Sequence, residues 1–195
     1  MRRGFLNEKG TIVVGILFVF LAALMACILP GPAHGDPVPE ATAVRTPTQI
    51  VEAHVRWFFR NVNPQRMQKP LELVPIVVEV SQEHHVDPLL VATMIDVESS
   101  WRPTANGAVG EQGLLQVHGM ARKGFDMETP RGQLQAGVTY LVASHKKCKT
   151  IVGALRRYQT GQCKSTKGSA LYRARRWQQA RKRQGLKPLN NPFSL

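Results

Sequence analysis

The segment Asp87-Pro88-Leu89-Leu90-Val91-Ala92-Thr93-Met94-Ile95-Asp96-Val97-Glu98-Ser99 carries its own start signal. Aspartate at the N-cap accepts hydrogen bonds from the first free backbone N–H groups. Proline at the next position loses nothing, because that N–H is unpaired in any helix. Val91, Met94, Ile95 and Glu98 then follow at i, i+3, i+4 and i+7, which places Glu98 on the apolar stripe of the helix. Asp96 points roughly the other way, since two residues turn a helix by about 200°. Glu98 also falls in the last turn, where unpaired carbonyls present partial negative charge, and Trp101 follows closely. Burial, the helix dipole and an aromatic neighbour each disfavour the ionised carboxylate. A carboxyl group kept protonated near neutral pH is what a general acid requires.

The patterning on either side is helical as well. Thr46-Pro47-Thr48-Gln49 forms a capping box with proline at the first helical position, and Ile50, Val51, Val55, Phe58, Phe59 and Val62 follow at helical spacing. Asn61 to Lys69 reads as a loop, and a second helix is predicted from about Leu73 to His84 with Pro75 in its first turn. Trp101 to Phe125 is a long, glycine-containing stretch with little periodicity. Thr129-Pro130 opens a fourth helix through Gln135, Val138, Leu141 and Val142, a fifth covers roughly Ile151 to Tyr158, and a basic helix spans about Ser169 to Arg183. Strand signals are weak, so the expected fold is mostly α, with one functional loop. The chain of 195 residues has room for one ordinary domain and a short appendage, and its 43% hydrophobic and 20% charged residues exclude a disordered or fibrous chain.

Charge and cysteine usage bound the surroundings. Lys and Arg number 26 against 13 Asp and Glu, a formal net charge of +13, and no acid occurs after Glu128. Such an imbalance favours a polyanionic partner. Arg2, Arg3 and Lys9 precede an uncharged run over 11–29, which ends at Pro30-Gly31-Pro32 with Ala33 and Gly35 spaced for cleavage before Asp36. This is the grammar of an export signal, and the run is nearly the roughly 20 residues that span a bilayer. A cleaved signal, an uncleaved membrane anchor over 11–29 and a lipoprotein reading through Cys27 all deliver the remainder outside the cytoplasm, to the periplasm or the outer face of the inner membrane. Cys148 and Cys163 then remain, 15 positions apart, and in an exported domain they most simply form a disulfide. The expected organisation is a signal or anchor over 1–35, a Pro-, Ala- and Thr-rich linker over 36–45, a domain over 46–165 and a basic C-terminal helix and tail over 166–195.

Val86-Asp87-Pro88-Leu89-Leu90, Glu98-Ser99, Gly113-Leu114-Leu115-Gln116, Leu134-Gln135-Ala136-Gly137 with Tyr140-Leu141, and Ala154-Leu155 with Tyr158-Gln159-Thr160-Gly161 resemble, in order and spacing, the soluble lytic transglycosylase family, which shares the goose-type lysozyme fold. The resemblance implies an α-helical peptidoglycan lyase with Glu98 as catalytic acid/base. It also implies a substrate-binding set of Ser99, Gln116, Tyr158 and Gln159, with Gln116 on the sugar-binding loop and Tyr158 facing the active site. The implied reaction protonates the oxygen between N-acetylmuramic acid and N-acetylglucosamine, uses the substrate's acetamido group to stabilise the oxocarbenium ion, and closes a 1,6-anhydro ring. It consumes no water and needs no metal or cofactor. The chain departs from the family at Gln159, where asparagine is usual, at Gln162-Cys163, which replaces a glycine-proline run, and at His118-Gly119, where methionine-proline is common.

Several readings stay open at this level. A hydrolytic muramidase, with Asp96 or Glu111 positioning water, is the enzymatic rival. A binding module that uses the basic helix on wall polymer or nucleic acid is the non-enzymatic one, and an export signal argues against nucleic acid. Ser99 and Ser100 read as residues that finish the helix, with no base spaced to make either a nucleophile. His84-His85 reads as a solvated helix end because adjacent histidines share no face, and His118 sits beside the sugar loop. The size, the basic tail and the export signal suggest a specialised enzyme that opens the wall for an envelope-spanning conjugation or secretion apparatus.

Overall fold

The computed structural model describes residues 44–164 and 169–193. Within them lie six helices, α1 (Pro47–Val62), α2 (Gln68–Glu83), α3 (Pro88–Glu98), α4 (Pro130–Cys148), α5 (Ile151–Thr160) and α6 (Ala170–Arg183), and two 3-10 turns at Pro64–Arg66 and Gly119–Arg122. The β pairing among the described residues consists of isolated bridges of Gln112 with Asn106 and Val117. The expected mostly helical fold is observed, and it is consistent with a lysozyme-like helical domain. The expected signal or anchor over 1–35 and most of the expected linker lie outside the described residues.

Local signals explain most helix starts. Thr46 Oγ1 accepts from Gln49 N while Gln49 Oε1 accepts from Thr46 N at 2.8 Å, so the capping box of α1 is complete. Thr129 and Thr150 cap α4 and α5 in the same way, each accepting from the backbone N–H three residues on. Helix α2 departs from expectation. It begins at Gln68 instead of Leu73, so Pro75 lies in its interior and Pro70 occupies the first turn. Its N-cap, Met67, makes no side-chain capping bond, and the sequence therefore carries no start signal there.

Helix α3 is the central element, packed against α1, α2 and α6. Every residue from Pro88 to Asp96 is buried, so one apolar stripe understates its environment. Asp96, on the side away from Glu98, is only 4% exposed. It accepts from His54 Nε2 at 2.9 Å, from Trp101 Nε1 at 2.8 Å and from Arg176 Nη2 at 3.2 Å. Asp87 caps the helix through Leu89 N at 2.9 Å and also accepts from Trp177 Nε1 at 2.9 Å and Arg181 Nη1 at 2.5 Å.

Those partners join the inner face of the basic C-terminal helix to the core of the domain. Ala170, Trp177 and Ala180 are core residues, and α6 packs against α3 and α5. Beyond it the chain returns to the start of α3, where Asp87 N donates to Pro192 O at 2.8 Å and Phe193 stacks on His145 of α4. Arginines on the inner face of α6 meet acids far upstream, so a charge count along the local sequence missed the pairing.

Helix α4 braces the long loop between α3 and itself. Gln133 accepts from Leu114 N at 3.0 Å and donates to the carbonyls of Pro103 and Met127. Two glycines permit this approach. Gly113 has φ +77° and a Cβ there would lie 2.5 Å from the Gln133 side chain, while a Cβ on Gly137 would lie 2.5 Å from the Leu115 side chain. Cys148, the last residue of α4, and Cys163, just past α5, are bonded to each other, with Cα atoms 5.4 Å apart.

Two outcomes follow for stability. Replacing both cysteines by serine lowers unfolding free energy by about 3 kcal/mol through the freed loop, read from denaturant midpoints of the oxidised protein and the variant. Gln133→Ala leaves the buried Leu114 N–H without its acceptor and costs about 1–3 kcal/mol, with proteolysis within 101–125 accelerated beyond that of the parent.

Candidate active site

Glu98 is the last residue of α3, and its side chain, 14% exposed, reaches a cleft of about 630 Å³. The cleft lies between the 107–118 loop, Tyr140 of α4, the end of α5 and Arg173 of α6. Sequence reasoning brought Glu98, Gln116, Tyr158 and Gln159 together, and all four line this cleft, as does His118.

The backbone around Glu98 is held in sparsely populated conformations. Ser100, Trp101 and Gln116 have φ of +49°, +63° and +48°, a left-handed region that costs a non-glycine residue on the order of 1 kcal/mol or more. Specific bonds fix the turn. Ser99 Oγ donates to Leu114 O at 2.8 Å, Trp101 Nε1 donates to Asp96, and Arg102 Nε donates to Ser99 O at 3.0 Å. Ser99 is buried and lies outside the cleft lining. It was expected among the substrate-binding residues, yet its hydroxyl ties the end of α3 to the 107–118 loop. Ser100 Oγ donates back to Asp96 O, as a residue that finishes a helix does.

The other lining residues have defined bonding states. Gln116 Nε2 donates to Ala105 O at 3.0 Å and Gly113 O at 2.9 Å, which leaves its amide oxygen to accept. Tyr158 donates its hydroxyl proton to Leu115 O at 2.7 Å and packs against Tyr140 at 5.3 Å between ring centroids, so in this state its oxygen serves the cleft as an acceptor. Gln159 Nε2 donates to Ser169 Oγ at 3.3 Å, while its Oε1 is buried with no protein partner.

One contributor, Arg173, escaped the sequence reading of the acid. Arg173 donates through Nε at 3.2 Å and Nη2 at 2.9 Å to Glu98 Oε1. The signal existed, because Ala170, Arg173, Trp177 and Ala180 recur at helical spacing and mark an inward stripe that includes the arginine. Glu111 lines the same cleft and accepts from Val109 N. Burial holds the Glu98 carboxyl above the ordinary carboxylate range; Arg173 opposes the rise, and the Glu111 charge adds to it. Burial, with Glu98 and Tyr140 adding, pushes the Tyr158 phenol well above its usual value, so it stays neutral. Asp96 is committed to His54, Trp101 and Arg176 and lies outside the cleft lining. Among the described residues no group of three His, Cys, Asp or Glu stands close enough to hold a metal ion.

A deep acid with a raised pKa, one guanidinium against it and amide and phenol groups around it suit proton transfer to a polar, oxygen-rich substrate. Comparison with curated proteins gives no match. The family model for the transglycosylase SLT domain matches residues 76–181, from within α2 to within α6, which is more than half of the chain. The matched span includes Glu98, the loop, Tyr158 and Arg173. The chain thus belongs to the transglycosylase SLT family of lytic transglycosylases, enzymes that act as peptidoglycan lyases.

Proposed function

We propose that the protein cleaves the β-1,4 bond between N-acetylmuramic acid and N-acetylglucosamine with Glu98 as its single acid/base. The observation that carries this reading is the position of Glu98, partly buried at the end of α3 with its carboxyl held above the ordinary range. Glu98 donates its proton to the bridging oxygen as the C1–O bond breaks. The substrate's 2-acetamido group shares the positive charge that develops at C1, as in substrate-assisted glycosidases. The Glu98 carboxylate then takes the proton of the muramyl C6 hydroxyl while O6 bonds to C1. Atoms and charge balance without water, and the product ends in a 1,6-anhydro ring. The Gln116 amide oxygen, left to accept once its nitrogen is bonded to the loop, suits N–H and O–H donors of the sugar.

Glu111 supports one rival, hydrolysis, because it lines the same cleft and could orient a water. Product ends separate the two. Digested sacculi release anhydro-muramyl ends under the lyase reading and reducing muramic ends under hydrolysis.

The setting belongs to the same proposal. The basic n-region and apolar run over 11–29 support export to the periplasm or the outer face of the inner membrane. The small domain and its basic surplus support local wall opening for an envelope-spanning conjugation or secretion apparatus.

Glu98→Gln keeps the shape and removes the proton. Release of anhydro-muropeptides by this variant falls by at least about 100-fold, while its thermal midpoint stays within a few degrees of the parent. Wild-type release by the variant would refute the role. Mass analysis of the N-terminus from a membrane fraction finds it at Asp36 if the signal is cleaved.

A further inference from the structure

The acid/base sequence above assigns nothing to Arg173, yet this residue donates two hydrogen bonds to the acid. Its Nε and Nη2 both donate to one oxygen, Glu98 Oε1, and its remaining nitrogen donates to Ser169 Oγ. The guanidinium is therefore oriented from both sides, and the two side chains are 9% and 14% exposed. Among the described residues that line the cleft, Arg173 is the one fixed cation. It lies on the inward face of α6, whose Trp177 and Arg181 are tied to Asp87 at the far end of α3.

We propose that Arg173 is a positioning residue for the reaction, selecting Oε2 of Glu98 as the oxygen that carries the proton and holding the carboxylate left when that proton departs. The inference rests on the acid/base reading of Glu98. An oxygen that accepts from two N–H donors has little capacity left for a proton, so the acidic hydrogen belongs on the other oxygen. Once the proton is given up, the guanidinium pairs with the new anion at the moment when burial would otherwise oppose it. Charge in a low-dielectric cleft acts strongly on such a step.

The groups facing Glu98 from each packed element are Arg173 of α6, Glu111 and His118 of the loop, Tyr158 of α5 and Tyr140 of α4. Glu111 and burial raise the carboxyl, and Arg173 alone among the named causes lowers it. The sign follows directly. A general acid works while protonated, so activity falls as pH rises through its pKa. Without Arg173 that pKa is higher, the acid is weaker, and the fall comes at higher pH.

Initial rates of anhydro-muropeptide release from sacculi, measured against pH on the full chain, test this with Arg173→Gln, Arg173→Lys and Glu98→Gln. Arg173→Gln is expected to lower the acid-side plateau at least about tenfold and to move the falling limb up by about one pH unit. Arg173→Lys returns the limb towards the parent because the charge is restored. Its plateau stays reduced, because an ammonium does not reproduce the two-donor grip. A limb that superposes on the parent in Arg173→Gln, or a plateau that is unchanged or higher, overturns the proposal, whatever happens to the thermal midpoint. If Arg173→Gln does not fold, Arg173→Lys decides alone, and an unchanged plateau overturns it. Wild-type release by Glu98→Gln sinks the acid/base reading itself, a result distinct from any of these.

Discussion

Three acidic side chains of the central helix face three guanidiniums of α6 along an antiparallel pair of helices. Asp87 at the start of α3 meets Arg181 near the end of α6, Asp96 meets Arg176, and Glu98 at the end of α3 meets Arg173 near the start of α6. None of these acids would be tolerated in the core as a bare charge, since desolvation costs several kcal/mol per ion. Hydrogen bonds supply the rest: Trp177 and Leu89 N to Asp87, His54 and Trp101 to Asp96. The pairs differ in one respect that matters for chemistry. Asp87 and Asp96 each accept from at least three donor groups, whereas Glu98 is held by a single guanidinium on one oxygen. The structural acids are saturated with donors, and the acid at the cleft is not.

The same contrast runs through the loop that faces Glu98. Its backbone is pinned by Gln133, by Ser99 and by the Gln116 amide, and the left-handed Ser100 and Trp101 are tied by their own side chains to Asp96. In the cleft, the Gln116 amide nitrogen is bonded to the loop and its oxygen is left to accept. Rigidity is thus placed in the main chain and unmet hydrogen-bonding capacity in the side chains, an arrangement suited to holding a sugar in a fixed pose.

Much of this was legible from residues alone. The N-cap Asp87 with Pro88 and the capping box at Thr46 located helix starts, because those signals are local. The periodicity of Val91, Met94, Ile95 and Glu98 pointed to a buried acid, and Cys148 with Cys163 matched the bonded pair. The start of α2 was misplaced since Met67 supplies no cap. Ser99 was expected to contact substrate, but a hydroxyl's partner, here Leu114 O fifteen positions on, depends on how the loop folds back. The inward face of α6 was hidden for a different reason. Six of its fourteen residues are Arg or Lys, and this surplus masked the spacing of Ala170, Trp177 and Ala180. Long-range ion pairs of this kind are set by tertiary packing, which no window along the chain contains.

The join between Asp87 N and Pro192 O has a further consequence. The start of the helix that bears Glu98 is completed by residues about a hundred positions downstream, so its final geometry is a late event in the life of the polypeptide. A ribosome that has delivered the sequence only as far as α5 has made the acid but not its counter-ion, nor the indole and carbonyl that close the far end of the same helix. Closure of the far end of that helix thereby waits on synthesis through residue 192.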